Sequence, residues 1–156
     1  MDFPAAIGAG LLSGLAMTAM LYMGRAVMPG QMKMNLLYLL GTMMFRQTTV
    51  VYMAGAMAHA GMSIVFALIH VSIYEAIGLD SNLAAWGLLF GLAHYMVSGM
   101  AMGMMPMMHA GVRSGVVRAP GAFALDFPPG TAMGFLVLHL LFGVLVGVLY
   151  GAFGGV

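Results

Sequence analysis

The chain has 156 residues, of which 63% are hydrophobic and 6% charged. A soluble domain carries charge on about a quarter of its residues and a disordered chain combines low hydrophobicity with high charge, so both classes are excluded. Five Lys+Arg against four Asp+Glu give a formal charge of +1, with no basic stripe to meet phosphates, which excludes nucleic acid as a partner. With no cysteine, disulfides, thiolate zinc or iron–sulfur sites and covalent c-type haem are excluded as well.

What remains is an all-α integral membrane protein, a single transmembrane domain over 1–156. A crossing helix needs about 20 mostly apolar residues. Four stretches qualify, at 3–28, 51–78, 83–107 and 131–154, none with Lys or Arg in its central part. The first is too long for a cleaved signal peptide and carries Asp2 where a signal has Lys or Arg, so it is expected to persist as a helix. Pro29-Gly30 ends it. Residues 34–45 are apolar but too short to cross, which predicts an interfacial or re-entrant segment. The run Gly78-Leu79-Asp80-Ser81-Asn82 turns the second span into the third, and Pro128-Pro129-Gly130 precedes the fourth. Arg25, Lys33 and Arg46 fall at the first loop, and Arg113 and Arg118 in the third. The positive-inside rule then places loops 29–50 and 108–130 in the cytoplasm and both termini outside, in a bacterial cytoplasmic (inner) membrane.

The two halves align with each other. Gly10-Leu-Leu-Ser-Gly-Leu-Ala16 matches Gly87-Leu-Leu-Phe-Gly-Leu-Ala93 at an offset of 77, which also pairs Met28-Pro29 with Met105-Pro106. An offset of 76 pairs Phe66 with Phe142, Tyr74 with Tyr150 and Gly78 with Gly154. The reading is a parallel 2+2 duplication, repeat one at 5–78 and repeat two at 82–155, forming a pseudo-two-fold bundle. Glycines four apart (Gly10 and Gly14, Gly87 and Gly91, Gly99 and Gly103, Gly143 and Gly147) are expected at close helix crossings, since lipid offers little hydrophobic drive for helix association.

Five histidines stand in the chain. His109 falls at a span end, where interfacial solvation accounts for it, and His70 toward the outer surface. His59 and His139 lie eight residues into their spans, about 12 Å deep at 1.5 Å per residue. His94 lies near the midplane, and the 77-residue offset places Met17 at its equivalent position. Met17, His59, His94 and His139 thus come from four spans at similar depth. Polar groups in hydrocarbon face the bundle interior, and neutral imidazole is the commonest metal ligand. One reading is that each histidine pins helices through a hydrogen bond. The other is a metal or haem b site, with a bis-His haem lodged in a slot left by Gly55, Ala58, Gly91 and Gly143. Twenty methionines add soft thioethers that favour Cu(I), so copper on one histidine with Met17 or Met57 is the less demanding site. Methionine is also a flexible gap-filler, and the run Met100–Met108 circles its helix. No phosphate loop, no H-E-x-x-H and no nucleophile arrangement is present, so no catalytic residues are expected.

The stretch GLLFGLAHYMVSGMAMGMMP at 87–106, with PGAFALDF and TAMGFLVLHLLFGVLVGVLYG after it, resembles a family of small bacterial four-helix membrane proteins of unknown function. The resemblance implies the four-helix fold, places its His-plus-glycine pattern on His94, His109 and His139, and implies no activity. Three functions follow as expectations. The first is a metal- or haem-binding accessory subunit of a respiratory or copper-dependent membrane complex. The second is a cofactor-free structural or assembly subunit, packing on other membrane subunits or on copies of itself through glycine faces. The third, weaker because polar groups are few, is a small-solute or ion pathway.

Overall fold

The computed structural model describes residues 1–46 and 48–154. Gln47 of the first loop and Gly155, the last residue assigned to the second repeat, lie outside the described residues. Among the described residues every regular element is helical, and four helices are long and apolar enough to cross a membrane.

The first, α1 (Phe3–Val27), starts where the Asp2 side chain accepts from the Ala5 N–H at 3.0 Å. A short helix, α2 (Leu36–Gly41), follows; Asn35 caps it by accepting from the Tyr38 N–H. The segment expected over 34–45 is therefore helical only in its centre. The second long helix is α3 (Thr48–Ala76) and the third α4 (Leu83–Gly103). The span expected to reach residue 107 stops at Gly103, and the chain resumes as two single turns, α5 (Met105–Met108) and α6 (Ala110–Arg113). Pro106 explains the break: it has no N–H to continue the ladder, and its ring crowds the preceding turn. A 3-10 turn (Ala122–Ala124) leads into α7 (Pro129–Ala152), whose first residue is a proline at the position that needs no N–H.

The start of α1 and the ends of α3 and α7 meet at one end of the bundle. The Asp2 N–H donates to the Tyr150 hydroxyl, which donates to Glu75 at 2.9 Å. Loops one and three meet at the other end: Thr131 donates to the Gln31 carbonyl and accepts from the Lys33 N–H. All five basic residues therefore belong to one end.

Helix packing is unequal around the ring. The most extensive pair is α4/α7, followed by α1/α7 and α1/α3, while α3 and α4 barely touch. Glycine accounts for the first. A Cβ on Gly87 would run into the Gly143 carbonyl, one on Gly143 into the Gly87 carbonyl, and one on Gly147 into the Leu83 carbonyl. These backbones touch directly, as expected where small residues replace hydrophobic drive. In α1/α3, Gly10 lies against the Ala67 side chain and the Ser63 backbone, and Gly14 against the Ser63 side chain. Helix α2 lies along the start of α3, with Gly41 against the Val51 backbone and Gly55 against that of Leu37.

Candidate functional site

The loose α3/α4 seam leaves a cavity of about 300 Å³ inside the bundle, reaching toward the loop end. Its wall is apolar except for His59, His94, His139, Ser63, Ser98 and Thr131. The side chains come from α1, α3, α4 and α7, with Leu36, Leu39 and Leu40 of α2 and Met105 and Met108 of α5 at the loop end. An apolar cavity with a few convergent polar groups is the usual form of a small-ligand site.

The structure brings four of the five sequence-predicted ligands to this cavity. Met17, His59, His94 and His139 all line it and all are buried. Met57 is not among them: at 74% exposed it sits on the outer face of α3. Its spacing explains this, because Met57 is two residues before His59, about 200° around a helix of 3.6 residues per turn.

Hydrogen bonds fix two of the imidazoles. His139 Nδ1 lies 2.7 Å from the Phe135 carbonyl, which can only accept, so Nδ1 carries the proton. The Thr18 hydroxyl donates to the Gly14 carbonyl at 2.9 Å and therefore accepts from His59 Nδ1 at 3.0 Å. In both rings Nε2 is then a lone pair. Neither Nε2 has a protein partner among the described residues, and neither is sealed inside the protein. An imidazole that donates one N–H to the protein and turns its other nitrogen outward has the usual arrangement of a metal-ligating histidine.

His94 is held by stacking. Phe66 lies on its ring at 3.6 Å between centres, and the His139 ring stands perpendicular to it at 4.8 Å. His94 Nδ1 is buried with no hydrogen-bond partner. His70 continues the row at 5.9 Å from His94, also buried, and its Nδ1 is likewise without a partner. The sequence sets His70 nearer the outer end of its span and, by its 11-residue spacing from His59, on the same helical face, which is the signal that links it to the row.

His109 differs from its expectation. It is fully buried, not solvated: Nδ1 accepts from the Gly111 and Val112 N–H groups at 3.1 and 3.3 Å, and Nε2 donates to the Leu39 carbonyl at 3.0 Å, with Thr42 Oγ1 at 3.1 Å. It caps α6 and ties α2 to the third loop, a structural task that uses both its nitrogens.

A haem between His94 and His139 does not fit. With metal–nitrogen bonds of about 2.0–2.1 Å, two imidazoles on opposite sides of an iron have ring centres roughly 6 Å apart; here they are 4.8 Å apart. The slot expected from Gly55, Gly91 and Gly143 is filled, since each glycine already faces neighbouring backbone. Two imidazoles bent around one ion at about 110° have centres roughly 5 Å apart, which suits the observed pair. Among the described residues no three His, Cys, Asp or Glu side chains are grouped to hold an ion; the cavity wall also carries thioethers, among them the buried Met17. No protein-family model, curated protein or solved structure matches the chain.

Proposed function

We propose that this chain is a membrane-embedded holder of Cu(I), acting as an accessory subunit of a copper-dependent or respiratory membrane complex. One observation carries the reading: His59 and His139 commit Nδ1–H to protein acceptors and leave Nε2 lone pairs at a cavity that His94 and Met17 also line. Lone pairs without protons suit a cation, and thioether with imidazole suits a soft one. The four spans lie in a bacterial inner membrane with the basic end cytoplasmic and both termini outside. The grouping of Arg25, Lys33, Arg46, Arg113 and Arg118 at one end supports this orientation.

The chain also reads as a 2+2 duplication. The contacts Gly10–Ala67 and Gly14–Ser63 in one helix pair have as counterparts Gly87–Gly143 and Gly91–His139 in the other, at the same offsets of 77 and 76 found in the sequence. The cofactor-free structural subunit stays as the second reading, favoured by the direct backbone contact of α4 with α7.

The test is anaerobic titration of the purified chain in detergent with Cu(I), followed by elemental analysis. About one tightly held Cu(I) per chain is expected, with His94→Ala and His139→Ala each weakening binding roughly 10–100-fold while the protein stays folded. Binding that neither substitution changes would overturn the copper reading and leave the structural one. For orientation, a reporter active only in the cytoplasm should be silent at the C-terminus and active when inserted beside Arg113; the reverse pattern overturns the sidedness.

A further inference from the structure

Seven methionines line the cavity, and they differ in exposure. Met108 is 53%, Met43 40% and Met62 39% exposed, whereas Met17 is 7%, Met102 6% and Met34 4% exposed. Met105 is half-buried between them. Helix geometry places them: Met102 is eight residues from His94 on α4, about 12 Å at 1.5 Å per residue, and Met105 and Met108 lie on α5, past the end of α4 at Gly103. On the facing helix α3, Met62 lies four residues, about one turn, before Phe66, the residue stacked on His94. Thioethers thus occupy the cavity wall from its exposed end to the imidazoles.

An apolar wall needs no sulfur. Leucine fills space as well with fewer rotatable bonds, and other wall positions here are Leu21, Leu36, Leu39 and Leu138. What methionine adds is a neutral soft donor that binds Cu(I) weakly and carries no proton. We infer that these methionines form an entry path, along which Cu(I) passes from the end bearing loops one and three to the imidazoles of His94 and His139. Each step exchanges one thioether for another on the same ion, with no electron or proton transferred, so loading needs no co-reactant. The inference rests on the Cu(I) reading above and adds a direction to it.

The path makes a kinetic claim that is separate from the affinity claim. The full chain in nanodiscs is mixed by stopped flow with the coloured Cu(I)–bicinchoninate complex, and loss of colour is followed under anaerobic conditions. Met43→Leu combined with Met108→Leu should load roughly tenfold more slowly, inside the range over which related variants differ in association rate, and reach the wild-type endpoint. Met53→Leu combined with Met57→Leu removes two exposed thioethers that do not line the cavity and should load at the wild-type rate. A wild-type rate in the first variant overturns the path while the copper reading stands. Equal slowing in both variants also overturns it, since exposed methionine in general would then be responsible. If wild-type protein takes less than stoichiometric Cu(I), the copper reading fails and the path falls with it.

Discussion

In the duplication proposed above, the α1/α7 and α3/α4 seams are counterparts, yet one is closed and the other open. The residues on the two first helices explain the difference. The buried face of α1 is Ala5, Ala6, Ala9, Gly10, Ser13 and Gly14 along its first half, with Met17 and Leu21 beyond. At the 77-residue offset, Ala9 and Ser13 correspond to Trp86 and Phe90 of α4. Small residues let α1 lie close to its neighbours. In the other seam Phe90 stands against His70 and Tyr74 at 5.7 and 5.3 Å, and His94 against Phe66. Rings hold those helices apart, and the space so created contains the imidazoles. A small set of side chains thus separates a closed seam from one with an interior.

The strongest way to break this comparison is to force apart the contact on which both seams depend. Gly143→Leu places a side chain into the Gly87 backbone and should cost about 3 kcal/mol, the upper end of overpacking penalties. Gly61 has nothing within contact distance of a Cβ, so Gly61→Leu should leave the detergent melting temperature unchanged. Equal melting of the two variants would remove glycine packing as the cause of the α4/α7 contact. Next, Ala9→Trp gives α1 the residue that α4 carries and should cost about 2 kcal/mol, with the α1/α7 seam widened as read by a spin-label pair across it. An unchanged distance would show that residue size does not set the seam.

Smaller effects refine the cavity side. His109→Ala leaves two N–H groups and the Leu39 carbonyl without their partner, a loss of roughly 1–2 kcal/mol. It should be concentrated where α2 lines the cavity, so the amides of 39–42 should exchange faster while those of α7 hold. Uniform acceleration would mean that His109 supports the whole bundle instead. The smallest change is Thr18→Val, which removes the acceptor of His59 Nδ1 and should weaken Cu(I) binding about tenfold with little effect on folding, as loss of an outer hydrogen bond to a ligating histidine does. Unaltered affinity would separate His59 from the ion.

Depth was legible in the sequence and direction around the helix was not. Residue number along a span gives position at 1.5 Å per residue, so Met17, His59, His94 and His139 could be placed at one level, and all four line one cavity. In water an apolar stripe would also have told the inward face from the outward one. Here both faces are apolar, because the outer one is suited to lipid, so Met57 and Met17 looked alike until the helices were packed. Glycine spacing was the exception: Gly87 with Gly91 and Gly143 with Gly147 marked the close crossing in advance. His109 and the open seam depend on contacts between distant segments, which spacing along one helix does not record.

The pairing of the first long helix with the last has a consequence for biosynthesis. Helix α7 is the principal neighbour of both α4 and α1, yet it is the last of these four long helices to be made. Until it arrives, the α1/α3 hairpin can form through Gly10 and Gly14, but α4 has no glycine partner and the ring stays open. Closure of the four-helix ring is therefore expected to wait for α7, and then to occur in one step when α7 docks against both α1 and α4. A nascent chain stalled before residue 129 should present α4 to membrane proteases, and one extended past α7 should resist them.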